Sequence, residues 1–87
     1  MQTDAVKPSR FGRGEMSDSH FNDLVDATKL KSMPVISALY EYLVNGHRKI
    51  DSYRKHKVDM SLFSRRLASL KKMSETAEAL AKYYRTN

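Results

Sequence analysis

The sequence predicts an all-α fold: a small helical domain of about five short helices that contains a helix-turn-helix. Apolar residues recur at intervals of three and four in consecutive segments, and serine, aspartate or proline stands where several of these segments begin. This is the pattern of capped amphipathic helices. The chain of 87 residues contains no cysteine, which excludes disulfides and cysteine-based zinc sites. So small a core is expected to gain burial from a second copy of the chain.

The first fifteen residues are predicted to form a flexible N-terminal arm, and residues 16–87 the helical domain. Residues 1–15 contain proline and glycine and show neither a helical nor a strand period, as expected of a mobile segment. Three cations in this arm are placed to reach along a DNA groove; they are Lys7, Arg10 and Arg13. The alternative is a disordered tail that contributes little.

Two helices are predicted before residue 46. Ser17 caps the first, which runs to about Ala27. Ser32 caps the second, Pro34 lies in its first turn, and Gly46 suits the left-handed position that ends it. The buried faces expected from the spacing are Phe21, Leu24 and Val25 in the first helix, and Val35, Ile36, Leu39, Tyr42 and Leu43 in the second.

The segment from about 48 to 72 is predicted to form the helix-turn-helix. Its first helix turns Ile50 and Tyr53 inward, Val58 fills the turn, and Asp59 caps the helix that follows. In the second helix, apolar residues cluster on one side at about 100° per residue; they are Phe63, Leu67 and Leu70.

The opposite side of the second helix is the predicted DNA-binding face. Short hydroxyls allow a close approach to a groove, and cations bind phosphates or guanine edges. We expect Arg65 to be the main groove reader. The full set of predicted DNA-binding residues is Ser61, Leu62, Ser64, Arg65, Arg66, Ser69, Lys71 and Lys72, with Lys55 and Lys57 before them, and its cations other than Arg65 are expected to contact phosphates. The alternative is an ordinary solvated basic face.

The charge distribution supports a nucleic-acid partner. Residues 1–46 hold five Lys/Arg against six Asp/Glu, whereas residues 47–87 hold eleven against four, within a net charge of +6. The basic excess therefore lies in the half that contains the predicted helix-turn-helix, as expected of a nucleic-acid binder. An anionic membrane surface or an acidic protein would attract the same charge.

A last helix is predicted to begin at Ser74. Glu75 lies in its first turn and Arg85 near its end, the charge order that the helix dipole favours. Its narrow apolar stripe includes Leu80 and Tyr84 and suits packing on the core or on the same helix of another subunit. The predicted oligomerisation residues are Leu80, Tyr83 and Tyr84.

Neither an enzyme nor a membrane protein is expected. The three histidines, His20, His47 and His56, lack the four-residue spacing of a helical metal site, and no glycine-rich phosphate loop is present. We therefore expect no catalytic residue, metal, cofactor or small-molecule substrate. No apolar run approaches the roughly 18 residues of a spanning helix, and no signal peptide is expected. The remaining alternative is a small basic helical module that binds an acidic protein without reading DNA.

The sequence also resembles the PapB-type regulators of fimbrial adhesin biosynthesis in enteric bacteria. The matching residues are Met16-Ser17, His20-Phe21, Val35 to His47, Phe63-Ser64 with Leu67 and Leu70, Leu80-Ala81 and Tyr83-Tyr84. The resemblance implies an all-helical transcription regulator of a fimbrial operon in the bacterial cytoplasm, whose subunits assemble side by side on AT-rich repeats of double-stranded DNA. Departures at Ser52-Tyr53 and at Met60-Ser61-Leu62 fall within the motif, so the preferred DNA sequence is expected to differ.

Overall fold

The computed structural model describes the backbone of residues 11–85, and the side chains of that range except at position 78 and positions 81–85. Within this range there are four helices and no strand. They are α1 (Asp18–Thr28), α2 (Met33–Leu43), α3 (Lys49–Lys55) and α4 (Met60–Arg85). The all-α class is confirmed, with four helices where about five were expected.

Helix α1 begins and ends as its sequence predicts. The Ser17 hydroxyl accepts a hydrogen bond from the His20 N–H at 3.1 Å, which satisfies one of the free donors of the first turn. The helix ends where Lys29 takes a left-handed conformation with φ of 58° and its N–H bonds to the Asp26 carbonyl. Phe21 and Leu24 are buried and hold α1 on the core.

Helix α2 forms the centre of the fold. As predicted, it begins after Ser32, carries proline in its first turn and is followed by Gly46 at φ of 83°. Ser32 occupies the N-cap position, but its side chain makes no capping hydrogen bond, so the predicted cap is confirmed in position only. Four of its residues are buried: Val35, Ala38, Leu39 and Leu43. Ile36 and Tyr42, which were expected to be buried, are partly exposed and pack against the core from its edge.

Residues 11–16 lie against the C-terminal end of α2. The N–H groups of Gly14 and Met16 donate to the Tyr42 and Leu43 carbonyls at 2.9 and 3.0 Å. Gly14 has a φ of 68°, and a Cβ added to it would stand 2.9 Å from the Gly46 Cα, so both its conformation and its close approach require glycine. Residues 1–10 of the predicted arm lie outside the described residues.

The inward face of α3 differs from the prediction. Ile50 is exposed, whereas Ser52 is fully buried and its hydroxyl donates to the Arg48 carbonyl at 2.8 Å. A serine that bonds to its own helix leaves no polar group unpaired, so it can occupy a core position. Tyr53 does pack inward, with its ring centroid 5.5 Å from that of Phe63.

The prediction that a new helix begins at Ser74 is wrong, because α4 continues from Met60 to Arg85 without a break. No glycine or proline occurs after Gly46, and the lysines and methionine before Ser74 favour a helical backbone. Ser74 itself is buried within α4, and its hydroxyl has no hydrogen-bond partner among the described residues.

The buried apolar core gathers residues from α1, α2 and α4, from the segment before α1 and from the turn before α4. Helix α4 contacts each of the other three helices and contributes Phe63 and Leu70, both 1% exposed. Val58, in the turn before α4, is buried as predicted. The buried apolar set is Met16, Phe21, Leu24, Val35, Ala38, Leu39, Leu43, Val58, Phe63 and Leu70.

Candidate nucleic-acid interface

The start of α4 is fixed by the cap that the sequence predicts. One carboxylate oxygen of Asp59, Oδ2, accepts hydrogen bonds from the N–H groups of Ser61 and Leu62 at 2.9 and 3.2 Å. A carboxylate at this position bonds to free backbone donors and also favours the positive end of the helix dipole. Because Phe63 and Leu70 are buried in the core, the rotation of α4 about its axis is set, and the opposite face points to solvent.

The predicted DNA-binding residues of α4 lie on its outward side. Leu62 is partly buried, and the Ser69 hydroxyl donates to the Arg65 carbonyl at 3.1 Å. The seven exposed members of the set are Ser61, Ser64, Arg65, Arg66, Ser69, Lys71 and Lys72. Helix α4 thus presents hydroxyls near its N-terminus and cations further along.

Two further predicted residues precede α4 and differ in their surroundings. Lys55, at the end of α3, places its Nζ 3.1 Å from Oε2 of Glu41, so its ammonium is paired within the protein. Lys57 lies in the turn with a φ of 55° and its side chain is exposed. Its backbone takes the left-handed conformation for which glycine is common. The turn therefore keeps the geometry that glycine usually provides, although lysine stands there.

Glu41 of α2 collects the polar side chains at the junction of α2 and α3. Its oxygens lie 2.8 Å from Nδ1 of His47, 3.2 Å from Nε2 of His56 and 3.3 Å from Nδ2 of Asn45, besides the Lys55 contact. The hydrogen bond from Lys55, opposed by burial and supported by His56 and Asn45, lowers the pKa of Glu41 to about 2. This cluster was not predicted from the sequence, because Lys55 and His56 come from a different helix and reach Glu41 through the packing of α3 on α2.

A groove lies between the connection of α1 to α2 and one edge of α4. Its volume is about 360 Å³. The connection contributes Lys29, Lys31 and Ser32, α4 contributes Leu62, Arg66 and Ser69, and the remaining lining residues are Thr28, Leu30, Val35 and Leu70. The groove therefore combines three cations and no carboxylate. Lys29 and Lys31 were absent from the sequence-based set.

The predicted oligomerisation residues lie near the end of α4. Leu80 is 50% exposed; the side chains of Tyr83 and Tyr84 lie outside the described ones. In the described part of the chain, no three His, Cys, Asp or Glu side chains could together hold a metal ion. No helix found there is both long and apolar enough to cross a membrane.

Comparison with known proteins identifies the chain's relatives. The family described as PapB, adhesin biosynthesis transcription regulatory protein, matches residues 2–84. The chain is 35% identical over 79 residues to the major pilus subunit operon regulatory protein PapB of Escherichia coli, covering 91% of this chain and 76% of that one. It is 30% identical over 71 residues to the AFA-III adhesin operon regulatory protein of Escherichia coli, covering 82% and 70% of the two chains.

A solved structure shows the same fold. The crystal structure of FocB from Escherichia coli superimposes with a TM-score of 0.80 at 31% sequence identity, covering 92% of this chain and 91% of that one. The resemblance stated from the sequence is thereby confirmed, and with it the expectation of a transcription regulator rather than an enzyme. The chain belongs to the PapB family of adhesin biosynthesis transcription regulatory proteins.

Proposed function

We propose that this transcription regulator acts on a fimbrial adhesin operon by binding AT-rich repeat DNA as an oligomer, with α3, the turn and α4 serving as a helix-turn-helix. One observation carries the proposal. The segment from Met60 to Ser74 contains four cations and no carboxylate, and the packing of α4 turns all four cations to solvent. A helix that is basic outside and apolar inside suits a phosphate-bearing partner.

In this proposal α4 enters a groove of the DNA from its N-terminal half. Ser61 and Ser64 allow close approach, and Arg65 reads base edges. Arg66, Lys71, Lys72 and Lys57 contact phosphates, which hold the helix in register. Lys55 contacts Glu41, so it must leave the Glu41 carboxylate in order to contact a phosphate.

We propose the assembly and the location from the family to which the chain belongs rather than from the geometry of the site. The relatives are named as regulators of pilus and adhesin operons. Repeated sites call for several subunits, and the exposed Leu80, with Tyr83 and Tyr84, is the contact we propose between them. We further propose that the protein works at the nucleoid in the bacterial cytoplasm.

The proposal is tested by titrating an AT-rich repeat array and a GC-rich duplex of equal length at two salt concentrations. We expect tighter and cooperative binding to the repeats at both concentrations. Arg65→Ala should reduce the preference for the repeats about tenfold or more, since a good base contact contributes about 1–3 kcal/mol of discrimination. Arg54→Ala removes the same charge from an exposed site on α3 and should leave the preference unchanged.

Two outcomes would count against this function. An Arg65→Ala variant with wild-type affinity and preference would exclude α4 as the reading helix. Equal wild-type binding to both duplexes that disappears at the higher salt concentration would mean that the basic half is an electrostatic surface. In that case the alternative, a small basic module that binds an acidic protein, would be favoured.

A further inference from the structure

The connection between α1 and α2, which lines the groove beside α4, is tied to α1 and to the core. Lys29 caps α1 in a left-handed conformation, and its N–H bonds to the Asp26 carbonyl at 3.2 Å. The Leu30 N–H donates to the Val25 carbonyl at 3.3 Å, and the Leu30 side chain packs against the core. Lys29 and Lys31 therefore flank an anchored residue, and both are exposed.

The groove is continuous with the proposed DNA-binding face. Leu62, Arg66 and Ser69 belong both to that face and to the wall of the groove. At about 100° per residue, Arg66 points about 100° away from Arg65 around the helix, toward the connection. A DNA strand that passes beside α4 at this edge would therefore lie over Lys29 and Lys31.

Among the described residues, the charges of the groove have no counterions. No carboxylate lines it, and in the described residues none of Lys29, Lys31 and Arg66 forms an ion pair. Uncompensated cations around a concave surface attract an anion, and the loss of condensed counterions from DNA adds to that attraction. Buried Val35 and Leu70 also line the groove and supply its apolar part.

We propose that this groove is a second phosphate-binding surface, in which Lys29 and Lys31, together with Arg66, hold the DNA backbone along the edge of α4. The inference rests on the proposed function and extends it, because it adds an element outside α3, the turn and α4 to the interface. Contacts to phosphate fix orientation without reading sequence. The connection of α1 to α2 thus sets the register at which Arg65 meets the bases.

The test compares two double variants in titrations against the AT-rich array and the GC-rich duplex over a range of salt concentrations. Lys29→Gln/Lys31→Gln should make the slope of log K against log salt shallower by about 2, since each phosphate contact contributes about 0.9. Affinity for both duplexes should fall alike, on the order of tenfold or more at roughly 0.1 M salt. The ratio between the duplexes should stay unchanged.

The control Lys29→Arg/Lys31→Arg keeps both charges at the same exposed positions of the connection. It should leave the slope close to that of the wild type. Circular dichroism is used to check that both variants keep the helix content of the wild type. If the two double variants show the same slope while Arg65→Ala still reduces the preference, the groove is not part of the interface and the proposed function stands. If the wild-type chain binds neither duplex, both proposals fail.

A free anion is distinguished from DNA by a second measurement. Inorganic phosphate is titrated into the isotope-labelled wild-type protein without DNA while the amide NMR signals are followed. We expect no saturating change, because in our proposal the groove binds the DNA backbone only together with the contacts that α4 makes to the same DNA. Saturating shifts confined to residues 29–32 and Arg66 would assign the groove to a free phosphate and overturn its assignment to DNA.

Discussion

At the scale of single residues, Glu41 determines how α3 is joined to the rest of the molecule. Its carboxylate is 13% exposed and contacts Lys55 and His56 at the end of α3 and His47 in the preceding connection. A buried charge is stable when it is paired and hydrogen-bonded, and Glu41 meets both conditions. It therefore fixes α3 and the turn that positions α4.

Replacing Glu41 by glutamine should lower the free energy of unfolding at pH 7 by about 2 kcal/mol, the usual loss for hydrogen bonds to a charged group. The pKa of Glu41 is about 2 in the folded protein against an ordinary 4.5. A carboxylate whose pKa is lowered by folding stabilises the protein above its unfolded pKa and loses that effect as the pH falls. The difference between wild type and Glu41→Gln should thus shrink from pH 4.5 to pH 2.

Urea unfolding followed by circular dichroism at several pH values measures this difference. Glu75→Gln, at an exposed position of α4, removes the same charge without removing a described contact and serves as the control. A stability difference between wild type and Glu41→Gln that stayed constant down to pH 2 would show that the carboxylate is not held by these partners.

At the scale of elements, helices α1 and α2 could be predicted because their caps and apolar spacing agree. Ser17, Gly46 and three of the five residues of α2 that were predicted to be buried follow local rules that the tertiary structure leaves in place. The inward face of α3 and the course of α4 could not be predicted in this way. Ser52 and Ser74 are polar residues that occupy core positions. Serine is common both at the start of a helix and, when it bonds to its own backbone, within one, so the sequence does not distinguish the two cases.

The continuity of α4 can be tested with proline. Proline is tolerated at the first position of a helix but costs about 3 kcal/mol in its interior. If a helix began at Ser74, Glu75→Pro would occupy that first position and change little. Because α4 is continuous, we expect Glu75→Pro to lower the free energy of unfolding by about 3 kcal/mol.

The matched control is Met60→Pro, at the first position of α4, where the side chain is 58% exposed. The two hydrogen bonds that Asp59 accepts come from Ser61 and Leu62, so proline at position 60 removes neither of them. Chemical unfolding should show a small change for Met60→Pro and a large one for Glu75→Pro. Equal small changes would restore a helix boundary at Ser74.

At the scale of the whole molecule, the candidate interface was predictable along one helix and not between elements. The spacing of apolar residues placed Ser61, Arg65 and Lys72 on one face of α4, where the structure leaves them exposed. Lys29 and Lys31 lie more than thirty residues earlier in the chain than Arg66. They line the same groove as Arg66 because α1 packs on α4. No spacing rule brings such residues together, so a groove formed by two distant segments becomes visible once the fold is known.

The molecule also leaves an apolar residue uncovered where α4 extends past the core. The extents of the described structure are 45 × 28 × 21 Å, and α4, with 26 residues, accounts for roughly 39 Å at 1.5 Å per residue. Ser74 is the last residue of α4 with a buried side chain among those described, and Leu80 beyond it is 50% exposed. A second copy of the chain would remove this side chain from water.

We therefore expect Leu80→Ala to weaken assembly more than DNA binding by a single subunit. Covering a leucine side chain contributes about 1.5–3 kcal/mol, so its truncation should lower the cooperativity of binding to the repeat array about tenfold or more and leave affinity for a single site within about twofold. Thr76→Ala, at another exposed position on the same helix, should change neither quantity. Titrations of single-site and repeat duplexes, together with sedimentation of the free protein, measure both effects.

If Leu80→Ala binds the array as cooperatively as the wild type, this end of α4 is not the subunit contact, and the exposed Ile50 or Met60 would be the next apolar residues to replace.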